Sequence, residues 1–307
     1  MQWPPPLHAQ SRIALIAPSR SVRYADVESF LAFAIRHGWE VVYDESLFAH
    51  DGVLAGPDAH RLSQLQSALD SADIQAIWFV RGGHGVSRIW KRISWEGLSR
   101  YPKWLIGFSD ITPLLWGAAK AGVISLHAPV AVQIPYKVSS IALSYLLRIL
   151  TSESFDFTLS WPWQPWYAWR QGAVSGRLLG GNLSLLQTLC GTALDIKEWN
   201  ENPILFWEEV GEYVYRIDRL SWHLSNAGWY ERAKALLVGG LTNIQDNEDI
   251  PFGKSLKEVI WESANTNLPL AMGLPIGHLM NNMPLPVGAD ASLVIEERRA
   301  YLRFWRS

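Results

Sequence analysis

The sequence predicts an α/β fold: a parallel sheet in the first half of the chain, and a smaller, more β-rich α/β region behind it. Three observations predict it. Short apolar runs alternate with helical segments from residue 12 to about residue 150, the pattern of right-handed βαβ units. Two of those runs end in glycine-bearing loops, Arg81-Gly82-Gly83-His84-Gly85 and Ile106-Gly107-Phe108-Ser109-Asp110, and parallel sheets form their sites at such strand ends. Near the end, residues 291–295 and 301–304 read as strands split by the charged stretch 296–299.

Taken in order, residues 12–17 form a first strand stopped by Pro18-Ser19. Residues 26–37 are amphipathic and end at Gly38, a residue suited to a left-handed helix cap. Residues 40–43 are a second strand, and a polar loop through Gly52 and Gly56 leads to a helix at 58–69. The third strand, 76–80, enters the Arg81–Gly85 stretch, and after a short helix the fourth, 103–106, reaches Ser109. Apolar spacing over 111–121 predicts a helix, 123–126 a strand ending at His127-Ala128-Pro129, and 140–150 a further helix.

From about 151 to 171 the periodicity dissolves into Trp161-Pro162-Trp163-Gln164-Pro165-Trp166-Tyr167-Ala168-Trp169. The domain boundary is expected there, giving an N-terminal α/β domain at 1–155, a Trp/Pro-rich connector at 156–172 and a C-terminal domain at 173–307. Exposed, these aromatics could stack on sugars; packed down, they would stiffen a connector. The second half continues with Gly176 to Asn182, a helix to Cys190, a strand at 203–210 and a helix at 215–226 stopped by Gly228. A strand at 235–238, a helix at 254–264 and Leu270-Ala271-Met272 lead into Pro275-Ile276-Gly277-His278.

Bulk composition narrows the function classes. Hydrophobic content of 49% and charged content of 18% describe an ordered globular chain. With 27 Lys+Arg against 29 Asp+Glu and no basic block, nucleic acid and anionic membrane are disfavoured as partners. One cysteine, Cys190, excludes an internal disulfide and fits a reducing compartment. The first residues lack a basic n-region and an apolar h-region, and no apolar run approaches the roughly 20 residues of a membrane span. A cytoplasmic location is the expectation.

Ser109 sits where a strand stops and a helix begins, with Gly107 two positions before it. Such an elbow exposes its middle side chain and aims helix N–H groups at whatever that side chain attacks. An N-cap serine followed by an acidic first-turn residue gives the same five letters. The Arg81–Gly85 loop fits a phosphate cradle, half of an oxyanion hole or a tight turn. It lacks the third glycine of a dinucleotide fingerprint and the Gly-Lys-Ser/Thr of a phosphate loop. There is no His-Glu-x-x-His and no histidine pair at metal-ligand spacing with a cysteine or carboxylate, so a zinc hydrolase is disfavoured. Glu208 and Glu209 close the apolar run Ile204-Leu205-Phe206-Trp207, and strand alternation lets only one of them face a given site. His278 fits a structural histidine as well as a base.

In order along the chain, Ile16-Ala17-Pro18-Ser19, Arg81-Gly82-Gly83 with Gly85, and Gly107-Phe108-Ser109-Asp110-Ile111-Thr112 carry a resemblance. Gly180-Gly181-Asn182-Leu183, Leu205 with Glu208-Glu209-Val210, Tyr215-Arg216-Ile217-Asp218-Arg219, and Gly277-His278 with Leu285-Pro286 and Gly288 complete it. The chain resembles the LD-carboxypeptidases, the serine peptidase family of muramoyltetrapeptide carboxypeptidases and microcin C immunity peptidases. The resemblance implies an N-terminal parallel-sheet domain like that of class I amidotransferases, and a C-terminal domain supplying a glutamate and a histidine. It places the nucleophile on Ser109, the base on His278, its orienting carboxylate on Glu208 and the oxyanion hole on the backbone of Gly83 and Asp110. His84 stands where many members have Tyr, Ala128 replaces a common Gly, and the Trp-rich stretch has no counterpart in the pattern. The implied reaction is cofactor-free hydrolysis of the amide between an L-centre, meso-diaminopimelate or Lys, and a C-terminal D-alanine. The implied substrate is a cytosolic murein tetrapeptide in peptidoglycan recycling, and the implied assembly a homodimer. Two other readings stand beside it: a microcin-immunity-type peptidase or amidase on aminoacyl-nucleotide conjugates, and a non-catalytic peptidoglycan-binding module using the Trp cluster.

Overall fold

The computed structural model describes residues 1–264 and 267–307, which form two compact units. The first comprises Met1–Phe155, Met280–Gly288 and Arg306–Ser307; the second, Asp156–Leu279 and Ala289–Trp305.

In the first unit the chain alternates strand and helix as its periodicity demands. Its elements are β1 (Arg12–Ile16), α1 (Tyr24–Arg36), β2 (Glu40–Val42), α2 (Asp58–Asp70) and β3 (Ala76–Phe79). They continue with α3 (Glu96–Arg100), β4 (Trp104–Gly107), α4 (Thr112–Lys120), β5 (Ser125–His127) and α5 (Ser140–Thr151). All five strands pair in parallel, in the spatial order β2-β1-β3-β4-β5. Every residue of β3 and β4 is buried, as expected for strands covered on both faces. The order reverses between β1 and β3, so the loops leaving these two strands open a crevice at the sheet's carboxyl edge. Lys103, read as the start of a strand, is instead a helix cap. Its fully buried ammonium donates to the Ala68 and Leu69 carbonyls at 2.9 and 3.0 Å and to that of Ser71, at the end of α2. Burial pushes its pKa down to about 8.

The second unit holds β6 (Phe155–Pro162), β7 (Trp169–Arg170), β8 (Gly172–Asn182), α6 (Leu183–Gln187), β9 (Ile204–Val210), α7 (Val214–Asn226) and α8 (Trp229–Arg232). β10 (Ala235–Thr242), α9 (Leu256–Ser263) and β11 (Leu270–Met272) follow. The chain then supplies β12 (Leu285–Val287) to the first unit and returns for β13 (Asp290–Ile295) and β14 (Arg299–Arg306). The second unit's sheet has the order β6-β14-β13-β8-β9-β10-β11-β7. Its middle, β8 to β11, is parallel, and β13 and β14 extend it antiparallel.

Two expectations are corrected. The Trp/Pro stretch is not a connector: residues 155–162 alternate buried and exposed along β6, an edge strand of the second sheet. Trp161 is buried and donates its indole N–H to the Met272 carbonyl at 3.0 Å, while Trp166 remains exposed. Nor does 173–307 form one domain, because β12 pairs antiparallel with β5 as the sixth strand of the first sheet. β12 carries Pro286, which cannot donate to a ladder and is tolerated because the strand lies at an edge. Among the described residues no helix is long and apolar enough to cross a membrane.

Candidate functional site

The first cluster lies at the carboxyl edge of the first sheet. β4 ends at Gly107, and Ser109 follows with φ 64°, one of three non-glycine residues in the left-handed region among the described residues. Such a backbone costs a serine roughly 1–3 kcal/mol and persists only where its surroundings impose it. Here the Thr112 hydroxyl donates to the Ser109 carbonyl at 2.7 Å, closing the turn into α4. Neither the 3₁₀ turn at Ser109–Ile111 nor α4 has a side-chain N-cap bond, so Ser109 is no capping serine. Of the two readings of these five residues, the elbow is the one present, and its backbone is strained.

The glycine loop leaving β3 lies against it. A Cβ on Gly82 would sit 2.9 Å from Ser109 Cβ and 3.0 Å from its Oγ, so only glycine permits this approach. Gly83 has φ 120°, a conformation that leaves its N–H direction to be set by the loop as a whole. Asp110 turns inward and is almost wholly buried. Its Oδ2 accepts from the Ser19 hydroxyl at 2.7 Å and from the Val86 N–H at 3.0 Å. Burial raises its pKa against the pull of these hydrogen bonds. Beneath the loop, the fully buried Arg61 donates to the carbonyls of Gly85 (3.1 Å), Gly56 (3.1 Å) and Pro18, and to the Asp58 carboxylate. Sequence reasoning gave no role to Arg61 or Ser19. An arginine in an amphipathic helix defaults to the surface, and nothing in its spacing marks it otherwise.

The second cluster lies in the second unit. β9 is buried along its first six residues and ends in the two glutamates, which alternate to opposite faces. Glu208 is fully buried, and its Oε2 accepts from His278 Nδ1 at 2.7 Å. That bond fixes the imidazole tautomer, with Nε2 as the acceptor. Glu209 faces away and is consumed structurally: Oε1 accepts from Asn182 Nδ2 at 2.7 Å and from its own Val210 N–H at 2.9 Å, and Oε2 from the Ser184 N–H at 2.8 Å. It thereby ties the end of β8 and the start of α6 to β9.

Gly277 holds the histidine close to the strand. It has φ 98°, and a Cβ there would lie 2.5 Å from Glu208 Oε2. Gly277→Ala must therefore displace either the glutamate or the histidine loop. The expected result is a lowered Tm and, with His278 as the base the resemblance implies, a drop in kcat of about 10²-fold, the scale of a 1 Å misplacement of a reacting group; steady-state kinetics and a thermal melt check it.

Glu209 also predicts a pH dependence. Burial is the largest effect on its carboxyl and lifts the folded pKa above the ordinary 4.5. The native state then binds more protons than the unfolded state between 4.5 and the folded value. The contribution to stability is complete below this window and is lost as pH rises through the folded pKa. The Tm advantage of the native protein over Glu209→Gln should therefore be largest in acid and narrow as pH rises, measured in parallel melts from about pH 4 to about pH 8.

Ser109, Gly83 and Asp110 thus gather in the first unit, and Glu208 with His278 in the second. Among the described residues no three His, Cys, Asp or Glu side chains are grouped as a metal site needs. Cys190 lies beyond the end of α6 in a turn rather than in the helix expected for it.

Comparison with known proteins covers both units. Residues 13–128 match the LD-carboxypeptidase N-terminal domain and residues 175–293 the LD-carboxypeptidase C-terminal domain. The murein tetrapeptide carboxypeptidase of Pseudomonas aeruginosa is 31% identical over 298 residues, 95% of this chain and 94% of that protein. The crystal structure of muramoyltetrapeptide carboxypeptidase from Oxalobacter formigenes shares the fold at a TM-score of 0.84 and 26% identity, covering 96% of this chain and 98% of that one. The microcin C7 self-immunity protein MccF of Escherichia coli is 23% identical over 296 residues, 87% of this chain and 84% of that protein. With two family domains matched in order and a relative above 30% identity along nearly its whole length, the chain belongs to the LD-carboxypeptidase family of serine peptidases.

Proposed function

We propose that the protein is an LD-carboxypeptidase that releases a C-terminal D-alanine from murein tetrapeptides, with Ser109 as nucleophile. The observation that carries the reading is the left-handed backbone of Ser109 beside Gly82, a strain with no capping role to explain it. In this reading Ser109 Oγ attacks the carbonyl carbon on the L-centre, and its proton passes to His278 Nε2. Glu208, bonded to Nδ1–H at 2.7 Å, holds the ring and stabilises the imidazolium. The N–H groups of Gly83 and Asp110 receive the oxyanion. His278 then gives its proton to the departing D-alanine nitrogen as the C–N bond breaks. Water attacks the acyl-enzyme with His278 again as base, and the tripeptide carboxylate leaves as Ser109 regains its proton. The family resemblance further supports a cytosolic homodimer acting in peptidoglycan recycling.

The test is incubation of purified protein with L-Ala-γ-D-Glu-meso-diaminopimelate-D-Ala and assay of free D-alanine. An aminoacyl sulfamoyl nucleotide, the class of ligand in the structure of MccF with glutamyl sulfamoyl guanosine, serves as the competing substrate. Release of D-alanine supports the murein reading, which the higher identity to the Pseudomonas enzyme favours. Turnover of the nucleotide conjugate alone overturns it.

A further inference from the structure

We infer that Asp110 and Arg61 are positioning residues that clamp one peptide plane, Gly85–Val86, from its two sides and so hold the glycine loop in its working orientation. The inference rests on the proposed role of Ser109 and concerns groups that reading leaves unused, a carboxylate side chain and a guanidinium.

The geometry is specific. The Gly85 carbonyl and the Val86 N–H belong to the same peptide group. Arg61 Nη1 donates to its oxygen at 3.1 Å, and Asp110 Oδ2 accepts from its nitrogen at 3.0 Å. A cation thus faces the negative end of the peptide dipole and an anion the positive end. Rotating the plane by half a turn would set the carbonyl against the carboxylate and the N–H against the guanidinium, so both contacts would become repulsive. The same two side chains also hold the loop leaving β1, though not by one peptide plane: Arg61 donates to the Pro18 carbonyl, and the Ser19 side-chain hydroxyl donates to Asp110 Oδ2 at 2.7 Å. The loops leaving β1 and β3 and the elbow leaving β4 therefore meet on one buried carboxylate.

The loop needs such a device. Gly82 must be glycine to approach Ser109, and Gly83 and Gly85 both have positive φ. Glycines reorient their peptides cheaply, and an oxyanion donor is useful only when its N–H direction is fixed beforehand. Asp58, partly exposed and shared with Arg88, bonds Nη2 of Arg61 rather than the Nη1 that holds the Gly85 carbonyl, so it does not compete for the peptide.

The clamp is testable through Ser109 with an alkyl fluorophosphonate, whose phosphoryl oxygen must use the same hole. Oγ–P forms, P–F breaks, fluoride leaves and the serine proton goes to the base. Asp110→Ala should lower both kcat on the tetrapeptide and the rate of phosphonylation by about 10²-fold or more, the scale of one lost oxyanion donor, with KM within a few-fold of native. Asp110→Asn keeps an acceptor oxygen for Ser19 and Val86 and should recover most of the loss. Ser19→Ala removes one hydroxyl from the same carboxylate and should slow phosphonylation several-fold; it is the reporter if Asp110→Ala does not fold. Folded Asp110→Ala or Ser19→Ala with native phosphonylation rates would overturn the clamp. So would an Asp110→Asn variant as slow as Asp110→Ala, or a rise in KM with unchanged kcat. A native protein that is phosphonylated on Ser109 yet releases no D-alanine would sink the substrate reading alone, and a native protein that is not phosphonylated would sink the nucleophile.

Discussion

Ser109→Ala is expected to lower kcat by on the order of 10⁵- to 10⁶-fold while KM stays within a few-fold of native, the pattern when a nucleophile is lost and the pocket is not. A second substitution separates the chemistry from the fold. Ser109 carries φ 64°, a conformation that strains serine by roughly 1–3 kcal/mol but is native to glycine. Glycine's extra freedom in the unfolded chain costs about 0.5–1 kcal/mol, less than most of that range. Ser109→Gly should therefore be as inactive as the alanine variant and melt higher than native, whereas Ser109→Ala keeps the strain and should melt near native. Progress curves with D-alanine detection and thermal melts of the three proteins give the answer. Substantial turnover by either variant would remove Ser109 from the chemistry, and a lowered Tm for Ser109→Gly would mean that the left-handed backbone carries no strain.

Glu208→Gln and Glu209→Gln should part company just as sharply. Glu208 is fully buried with Oε2 2.7 Å from His278 Nδ1. The amide can present its NH₂ to the ring and lock the other tautomer, and it cannot stabilise an imidazolium. The expected loss in kcat is on the order of 10³ to 10⁴, with a small change in Tm. Glu209 meets three donors, Asn182 Nδ2 and the Val210 and Ser184 N–H groups. Whichever way its replacement amide turns, an NH₂ faces a donor, so Glu209→Gln should lower Tm and leave kcat within about tenfold of native. Kinetics and melts on both variants decide it. An inactive Glu209→Gln beside a normal Glu208→Gln would reverse the assignment of the two carboxylates.

The contrast between these neighbours was legible in the sequence, because a strand's period of two is rigid: two adjacent glutamates at the end of β9 had to point opposite ways. The elbow at Ser109 was legible for a similar reason, an apolar run ending next to helical spacing. β6 was equally written in the sequence, with Phe155, Phe157, Leu159 and Trp161 at alternate positions and all buried. The tryptophans and prolines beyond it drew the reading toward a connector. β12 was not legible, since Met283-Pro284-Leu285-Pro286-Val287 has the proline content of a loop and becomes a strand only because β5 offers it an edge. Arg61 was illegible for a different reason. Apart from Asp58, which as an i,i+3 neighbour reads as an ordinary surface ion pair, its partners are backbone carbonyls from three separate loops, and backbone acceptors leave no trace in side-chain identity.

The return of residues 280–288 to the first unit sets an order of events during synthesis. When the first 155 residues have left the ribosome, β5 still lacks its outer neighbour, because β12 is more than 120 residues away in the chain. At about 5–20 residues per second the ribosome needs on the order of ten seconds to deliver it. For that interval the nascent chain presents an open row of backbone donors and acceptors along β5, a template for pairing with any other extended strand. A fragment truncated at residue 155 would keep that edge permanently. The seam between the two matched family domains is therefore no place to divide the gene: β12, encoded beyond it, completes a sheet whose other strands are encoded ahead of it.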